Sequence, residues 1–211
     1  MTAKYSYNPR DARFLLKEWL PLADILNYER YQDLSLDDID GLLEQMNRMV
    51  ANVIAPTNDD GEINHPRLVN GRVVGPPSWK EVYQYLQQQG WGTANFDRNA
   101  DGTMPEVVYA ALAEMMCAAS PAFIYYPALT TGAFKVIQTY ASPCLQQKFL
   151  PGMMDGRFQG CMCITEPSAG TDVGDGLTRA LPTDEPGIYK IKGSKIFISA
   201  GDGDHAENFI Y

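Results

Sequence analysis

The chain has 211 residues and a formal net charge of −9, with 17 lysines and arginines against 26 aspartates and glutamates. A surface that binds nucleic acid normally needs a basic field, so this charge argues against such a partner. No apolar run approaches the roughly 20 residues of a membrane span, and residues 1–10 lack the hydrophobic core of a signal peptide. We therefore expect a globular, cytoplasmic protein that buries a substantial core.

Cysteine and histidine do not indicate a metal centre. The chain has four cysteines and two histidines, which are Cys117, Cys144, Cys161, Cys163, His65 and His205. None of them has a partner at the spacing of a zinc ligand set, so we predict no metal site. The two cysteines at 161 and 163 share one face of a predicted strand and are interpreted as small packing residues.

The first strong helical signal follows an N-terminal extension over residues 1–34, in which Pro21 separates two short helices. Ser35 is a predicted N-cap, and Asp38 stands at the capping-box position three residues later. Apolar residues then recur at helical spacing, and Pro56 is expected to end the helix. The apolar positions are Leu36, Ile39, Leu42, Leu43, Met46, Met49, Val50 and Val53.

Further helices are predicted beyond a polar connection over residues 56–77. Ser78 and Glu81 suggest a second capping box, and the helix that they open extends to Gly90. Three more helices are predicted over 105–119, 121–140 and 143–151. The last two begin at Ser-Pro pairs, in which a cap precedes a residue suited to the first helical turn.

Residues 97–102 match the first half of a calcium-binding loop, with three oxygen-bearing side chains at alternating positions before a glycine. The second half does not match, because Val108 stands where a bidentate glutamate is required. Thr103 and Glu106 precede an apolar helix, so a capping box is the better interpretation. We do not predict a calcium site.

The periodicity changes near residue 158, after which short strands are predicted. These include a buried strand over 160–164 and two strands, 188–192 and 195–199, joined by a two-residue turn at Gly193-Ser194. Residues 184–187 suit a type II turn, and residues 202–205 are interpreted as a mobile acidic turn. The chain is therefore predicted to be α+β, with an all-α helical domain over 35–158 and an antiparallel β-domain that begins at 159.

The stretch from Thr165 to Asp172 leaves the predicted 160–164 strand in an unusual way. Glu166 precedes a proline and is therefore expected to be extended. Ala169-Gly170-Thr171 then offers successive backbone N–H groups and a hydroxyl, with a glycine where a positive φ is allowed. Such a turn can bind a phosphate or an electron-rich ring. Taken alone, the stretch could equally be a polar loop capped by Asp172.

Thr165-Glu166-Pro167-Ser168-Ala169-Gly170-Thr171-Asp172 and the downstream stretch 193–201 together resemble the signature pair of the acyl-CoA dehydrogenases. The second stretch, with Glu207-Asn208 after it, is most similar to the branch that contains the 3-methylmercaptopropionyl-CoA dehydrogenases. The resemblance covers nearly the whole chain. It implies the acyl-CoA dehydrogenase fold, with a β-barrel-like middle domain that is incomplete at Tyr211 and truncated before a C-terminal helical bundle.

The resemblance also implies FAD as the cofactor. The residues that would contact it are Met162, Cys163, Ile164, Thr165, Gly170, Thr171, Phe197, Ile198 and Ser199. Thr171 would in addition contact the acyl-CoA substrate. Three of these positions depart from the commonest family pattern: Thr171 replaces serine, Ser199 replaces threonine, and Phe197 replaces tryptophan and so loses an indole donor.

The implied reaction is α,β-dehydrogenation of an acyl-CoA thioester, as in the β-oxidation of fatty acids. The implied partners are acyl-CoA, an electron-transfer flavoprotein or similar acceptor, and further copies of the full-length chain in a homo-oligomer. In the family the glutamate base belongs to the C-terminal helical domain, so no catalytic residue is assigned here and the 211-residue chain alone is expected to be inactive. An acyl-CoA oxidase and a non-catalytic binding module that kept the fold remain alternatives.

Overall fold

The computed structural model describes residues 4–93 and 103–211, which form a helix-rich first part followed by short strands. The α-helices are α1 (Pro9–Phe14), α2 (Leu22–Leu26), α3 (Leu36–Met49), α4 (Ala55–Ile63), α5 (Pro77–Gln88), α6 (Glu106–Ala119), α7 (Pro121–Tyr140) and α8 (Pro143–Met154). The strands are β1 (Arg67–Val69), β2 (Arg72–Val74), β3 (Phe158–Gly160), β4 (Arg179–Pro182), β5 (Tyr189–Lys192) and β6 (Asn208–Ile210). The predicted α+β class is confirmed, whereas the domain boundaries at 34 and 158 stay predictions.

Helix α3 begins as its sequence predicts. The Ser35 side chain accepts a hydrogen bond from the Asp38 amide at 3.2 Å, and the Asp38 carboxylate accepts one from the Ser35 amide at 2.8 Å. This reciprocal capping box satisfies two N–H groups that a helix start otherwise leaves unpaired. The buried side chains of the helix recur at positions 39, 43, 46 and 49, which places one face of α3 in the core.

The prediction that Pro56 ends this helix is wrong. After α3 the chain makes a π-helical turn over Val50–Ile54 and continues as α4, with Pro56 in the first turn of the new helix. Because Ile54 and Ala55 have helical angles, the helix is continuous through Pro56, which removes one backbone hydrogen bond just after the π-helical turn. The predicted surface connection therefore begins only after Ile63.

The predicted capping box at the start of α5 is also wrong. Pro76 is the N-cap residue, and the Ser78 amide and hydroxyl both donate to Asp60 Oδ2, at 2.8 and 2.6 Å. The carboxylate that satisfies the first turn thus comes from α4. The capping box predicted for Thr103 and Glu106 is likewise not formed, because the N-cap residue of α6 is Pro105.

A β-hairpin that the sequence interpretation missed precedes α5. Strands β1 and β2 pair antiparallel around Asn70-Gly71, whose φ angles are +51° and +81°. Positive φ at both central residues defines a type I′ turn, for which Asn-Gly is the favoured dipeptide. Antiparallel pairing is therefore not confined to the chain beyond residue 158.

Helices α7 and α8 begin at the predicted Ser-Pro pairs, but neither serine side chain caps its helix. Ser120 is buried and its hydroxyl accepts a hydrogen bond from Thr57 at 2.8 Å. Helix α8 was predicted to end at Pro151, yet it runs on to Met154 and the Asp155 amide still donates to the Pro151 carbonyl at 3.0 Å.

Two apolar clusters hold these elements together. The larger one joins α1 to the start of α7 and contains the fully buried Leu43, Met46, Leu112 and Met115. The smaller one consists of Ala133, Phe134 and Met153, with Leu150, Ile137, Phe158 and Ile210 packed against them. This second cluster seats β3 and β6 on α7 and α8.

The strands beyond residue 158 differ from the predicted register. Strand β3 covers 158–160 and not 160–164, and it pairs parallel with β6. Strand β5 pairs with β4, so the two-residue turn predicted at 193–194 does not exist. The predicted turn is present but lies one residue later, over 185–188, because Gly187 has a φ of +82° and the Ile188 amide donates to the Glu185 carbonyl at 3.1 Å.

Residues 202–205, expected to be a mobile turn, are docked on the β1–β2 hairpin. Asp202 Oδ2 accepts from the Val73 amide at 2.8 Å, and Asp204 Oδ1 accepts from the Gly75 amide at 3.0 Å. The two carboxylates thus satisfy backbone groups of an otherwise exposed hairpin, which fixes the turn. The calcium-like stretch 97–102 lies outside the described residues.

Candidate functional site

The two signature stretches lie side by side in the structure. The Ile196 amide donates to the Thr165 carbonyl at 3.0 Å. Lys195 Nζ donates to the Ile164 carbonyl at 2.9 Å and to Glu166 Oε1 at 2.7 Å. Segments 164–166 and 195–196, about thirty residues apart in sequence, are therefore joined by one backbone bond and one lysine.

Glu166 is the centre of this junction. Its side chain is enclosed, and besides Lys195 its oxygens accept from the Leu177 amide at 2.5 Å and the Thr178 amide at 3.0 Å. The hydrogen bond from Lys195, followed by those from Thr178 and Leu177, lowers the pKa of Glu166 to about 2. A carboxylate held by three donors is strongly stabilised in its charged form.

The turn after Glu166 is tighter than the sequence predicts. The Glu166 amide donates to the Ala169 carbonyl at 2.8 Å, and the Ala169 amide donates to the Glu166 carbonyl at 3.1 Å. The Ala169 N–H is therefore used inside the turn, and Gly170 does not have a positive φ. A Cβ built at Gly170 meets no atom within 4 Å, so protein packing does not explain the glycine.

Asp172 ends this stretch as a local cap. Its Oδ1 accepts from the Gly174 amide at 3.1 Å, at the start of a 3₁₀ turn over Val173–Asp175. The cap interpretation of Asp172 is confirmed, and it is compatible with a ligand at the neighbouring Gly170 and Thr171, both of which are exposed.

The second signature stretch contains two residues with unusual backbone angles. Phe197 and Ala200 have φ of +56° and +51°. Non-glycine residues in this region store strain, which persists only where surrounding contacts enforce it. The Phe197 side chain is 88% exposed, so its own packing does not enforce the angle. The segment is bonded through Lys195 and Ile196 on one side and Asp202 on the other, and Ala200 packs against the larger apolar cluster.

The side chains predicted to contact the flavin differ in exposure. Met162, Ile164 and Phe197 are exposed apolar side chains, whereas Cys163, Thr165 and Ile198 are half-buried. Ser199 lies at an exposed position just after them in the second stretch. Three apolar side chains and the Ser199 position are thus accessible beside the junction, whereas Thr165 is accessible only in part.

A cavity of about 530 Å³ opens beside the junction. Cys163, Glu166 and Lys195 line it together with the apolar or aromatic side chains of Ile191 and Tyr211. Burial raises the pKa of the neighbouring Cys161 thiol to about 12, and its sulfur lies 3.8 Å from that of Cys163. Cys161 is therefore a packing residue with little thiolate character, as the sequence suggests.

His205 occupies a second polar cluster that the sequence did not indicate. Its ring packs edge-on against Tyr83, Tyr126 and Phe209, and Nε2 lies 2.7 Å from Oε1 of the fully buried Gln159. Burial lowers the pKa of His205 to about 4. The aromatic partners come from α5, α7 and β6, and no local sequence pattern connects them.

Within residues 4–93 and 103–211, no group of three or more histidine, cysteine, aspartate or glutamate side chains is arranged to hold a metal ion. No helix of the same residues is both long enough and apolar enough to cross a membrane.

Residues 37–157 match the family model described as the acyl-CoA dehydrogenase N-terminal domain. A butyryl-CoA dehydrogenase of Syntrophomonas wolfei is 40% identical over 211 residues, which cover 98% of this chain and 35% of that protein. The 3-methylmercaptopropionyl-CoA dehydrogenase of Ruegeria pomeroyi is 33% identical over 208 residues, with the same shares of 98% and 35%. The chain thus spans about a third of the length of these relatives.

The fold is also found in solved structures. The butyryl-CoA dehydrogenase of Megasphaera elsdenii superposes with a TM-score of 0.60 at 24% identity, covering 78% of this chain and 42% of that one. This likeness concerns the fold, whereas the family match and the sequence relatives extend over most of the chain. They confirm the resemblance carried by the two signature stretches. The chain belongs to the acyl-CoA dehydrogenase family.

Proposed function

We propose that this chain supplies one wall of the flavin site of an FAD-dependent acyl-CoA dehydrogenase, which introduces a double bond between the α and β carbons of an acyl-CoA thioester. The observation that carries the proposal is the junction of the two signature stretches. The bonds from Lys195 and Ile196 to segment 164–166 bring the two stretches side by side, with Met162, Ile164, Phe197 and Ser199 exposed beside the junction.

The residues present fit a flavin. An isoalloxazine is a flat aromatic ring with polar atoms along one edge. Exposed Met162, Ile164 and Phe197 offer apolar contacts to such a ring, and the hydroxyls of Thr165 and Ser199 offer donors to its polar atoms. At Gly170 the open space where a Cβ would stand leaves room for a ligand to approach the backbone.

FAD, when bound, would supply the acceptance of two electrons. The residues of this chain bind and orient. Thr165 would donate to the polar edge of the ring, Ser199 would donate on the side of the second stretch, and Thr171 would contact the acyl-CoA. Donors that are already in place stabilise charge as it develops in the reaction.

Glu166 is not a candidate for the base that removes the α-proton. Lys195 and two amides occupy its carboxylate and lower its pKa to about 2, so the group is a poor proton acceptor near neutral pH. Its role is in the junction. No residue of the described part is assigned as the base.

We propose a short-chain acyl-CoA as the substrate class, since the two relatives reported above are named for butyryl-CoA and 3-methylmercaptopropionyl-CoA. A separate electron-accepting flavoprotein, a homo-oligomeric assembly and a cytoplasmic location remain predictions. The inactivity of the 211-residue chain alone also remains a prediction.

Two measurements test the proposal on the intact protein that contains this chain. The first is the flavin absorbance that the purified protein retains after desalting. The second is reduction of an artificial electron acceptor with butyryl-CoA compared with palmitoyl-CoA. We expect retained FAD and faster turnover of the shorter substrate. A protein that binds no FAD when it is added would refute the flavoenzyme proposal, and faster turnover of palmitoyl-CoA would refute the short-chain assignment.

A further inference from the structure

The segment from Ile196 to Gly201 is held at both ends while its middle is strained. At one end Lys195 and Ile196 bond to segment 164–166. At the other end Asp202 accepts from the Val73 amide. Between these anchors lie the two positive φ angles of Phe197 and Ala200. Phe197 and Ser199 are exposed, whereas Ala200 packs against the larger apolar cluster, so the bonded ends and this packing together maintain the strained angles.

The Lys195 anchor differs from an ordinary surface ion pair. Exposed pairs contribute little, because water screens the charges and both side chains lose freedom. Here only 3% of the Glu166 side chain and 27% of the Lys195 side chain are exposed. The lysine also donates to the Ile164 carbonyl, so one ammonium group contacts the first stretch at two points.

The geometry of Glu166 links the pair to further parts of the site. Oε2 of Glu166 accepts from the Leu177 amide, and Oε1 accepts from both Lys195 Nζ and the Thr178 amide. The carboxylate therefore holds three segments in register: 164–166, 177–178 and 195–196. Loss of the lysine would leave an enclosed carboxylate without its cation, and loss of the carboxylate would leave two backbone amides without an acceptor.

We propose that Glu166 and Lys195 are positioning residues that hold the Thr165 segment against the Phe197–Ser199 segment, so that both can contact one flavin. This inference rests on the proposed function. Neither residue has to touch the flavin, because each acts through the backbone that carries Thr165 or Ser199. The pair sets the distance between the two hydroxyls, and the anchored ends transmit this placement along the strained segment.

The test uses the intact protein and four variants. Lys195→Met removes the ammonium group and keeps an unbranched stem, Lys195→Arg keeps the charge, and Glu166→Gln keeps the shape of the acceptor. Lys192→Met is the matched control, since it makes the same change on an exposed residue of β5 three positions away. Circular dichroism verifies folding, and Glu166→Gln repeats the test independently of the folding of Lys195→Met.

Two readouts distinguish positioning from general stability. The first is FAD affinity, with the shape of the bound-flavin absorption spectrum. The second is hydrogen exchange at the Ile196 amide, which donates to Thr165, compared with exchange in α3 and α6. For Lys195→Met we expect FAD affinity to fall roughly ten-fold or more and Ile196 exchange to rise by a similar factor. Lys195→Arg should retain most of the FAD affinity and most of the Ile196 protection of the wild type. Lys192→Met should match the wild type in both.

Each outcome bears on the inference. If the wild type binds FAD and both Lys195→Met and Glu166→Gln keep its affinity, spectrum and Ile196 protection, the positioning role is refuted while the flavin site stands. Faster exchange throughout α3 and α6, with no selective change at Ile196, shows general destabilisation and also refutes it. A wild type that binds no FAD overturns the proposed function, and the positioning role with it.

Discussion

Strand β3 crosses α7 at Gly160, one residue before the stretch that leads into the first signature. A Cβ built there would lie 2.3 Å from the Cβ of Ala133 and 3.3 Å from Cε of Met153. Carbon atoms in contact normally stand about 3.5–4.0 Å apart. A methionine end can rotate away, but the Ala133 methyl is fixed to the helix backbone. Gly160→Ala therefore requires the strand or helix to move by more than about 1 Å.

Two effects of opposite sign compete in Gly160→Ala. The φ of Gly160 is not in the left-handed region, so alanine would restrict the unfolded chain and stabilise the fold by about 0.4–1 kcal/mol. Overpacking a closed contact costs about 1–3 kcal/mol. The steric cost is larger, and we expect a net loss of roughly 1–2 kcal/mol in the free energy of unfolding.

The double variant with Ala133→Gly isolates the contact. Alone, Ala133→Gly should cost about 1 kcal/mol, because glycine is a poor helix former. In the double variant the removed methyl makes room for the added one. We therefore expect a loss of about 1 kcal/mol or less, against roughly 2–3 kcal/mol for the sum of the single changes.

Urea unfolding followed by circular dichroism measures all three variants. Gly132→Ala is the matched control, since a Cβ at this neighbouring position of α7 meets no atom within 4 Å. It should stabilise the protein by up to about 1 kcal/mol. This expectation is refuted if the loss in unfolding free energy of the double variant equals the sum of the two single losses within about 0.5 kcal/mol. In that case contact with Ala133 is not what restricts position 160 to glycine.

Three further predictions concern the proposed site and the buried histidine. Ser199→Ala should weaken FAD binding by about 0.5–1.5 kcal/mol, because one hydroxyl donor is lost, and a flavin fluorescence titration measures this. Thr171→Ala should raise the acyl-CoA concentration at half-maximal rate while the bound flavin, read by absorbance, stays unchanged. Burial lowers the pKa of His205 from 6.5 to about 4, so folding favours the neutral ring. Stability should therefore fall between about pH 6.5 and pH 4, by on the order of 3 kcal/mol. His205→Phe should show a smaller fall in urea midpoint over this range, and an equal fall would contradict the assignment.

The start of α3 could be predicted because all of its determinants are local. The cap, its reciprocal partner and the apolar spacing lie within one stretch beginning at Ser35. The continuation of the helix past Pro56 could not be predicted from local sequence, because it depends on a distant contact. Trp79 Nε1 donates to the Thr57 carbonyl at 3.0 Å and so supports the first turn of α4. The missed hairpin is different, since Asn70-Gly71 is a local signal that was available in the sequence.

The site could be predicted in part for the same reason. The family resemblance of the two signature stretches implied that both contact one flavin, and the structure joins the stretches by hydrogen bonds from Lys195 and Ile196. The bonds between Glu166 and its donors were not predictable, because they depend on the register of three segments. Gly193 shows the difficulty clearly: the sequence suggested a turn, but a Cβ there would lie only 2.0 Å from Thr178 Oγ1. The glycine is required by close packing, which no local pattern reveals.

The net charge of −9 raises the question of how this chain could bind an anionic cofactor and an anionic substrate. Carboxylates near the junction are engaged by donors of the protein itself. Glu166 accepts from Lys195 and two amides, Asp202 from Val73, and Asp204 from Gly75. Although burial opposes it, the amide bonds and Arg72 lower the pKa of Asp202, as expected for a stabilised charge.

These contacts satisfy the carboxylates of Glu166, Asp202 and Asp204 with donors of the protein itself, and Asp172 accepts from the Gly174 amide. Beside them the two stretches offer exposed apolar side chains, hydroxyls and backbone groups near Gly170. An anion can be held by such groups without a basic surface, because oriented N–H and O–H dipoles act at short range, where the overall charge of a protein is screened by salt within about 10 Å. The acidic composition and an anionic ligand are therefore compatible, since Glu166, Asp202 and Asp204 are bound by donors of the protein itself near the wall that the ligand would contact.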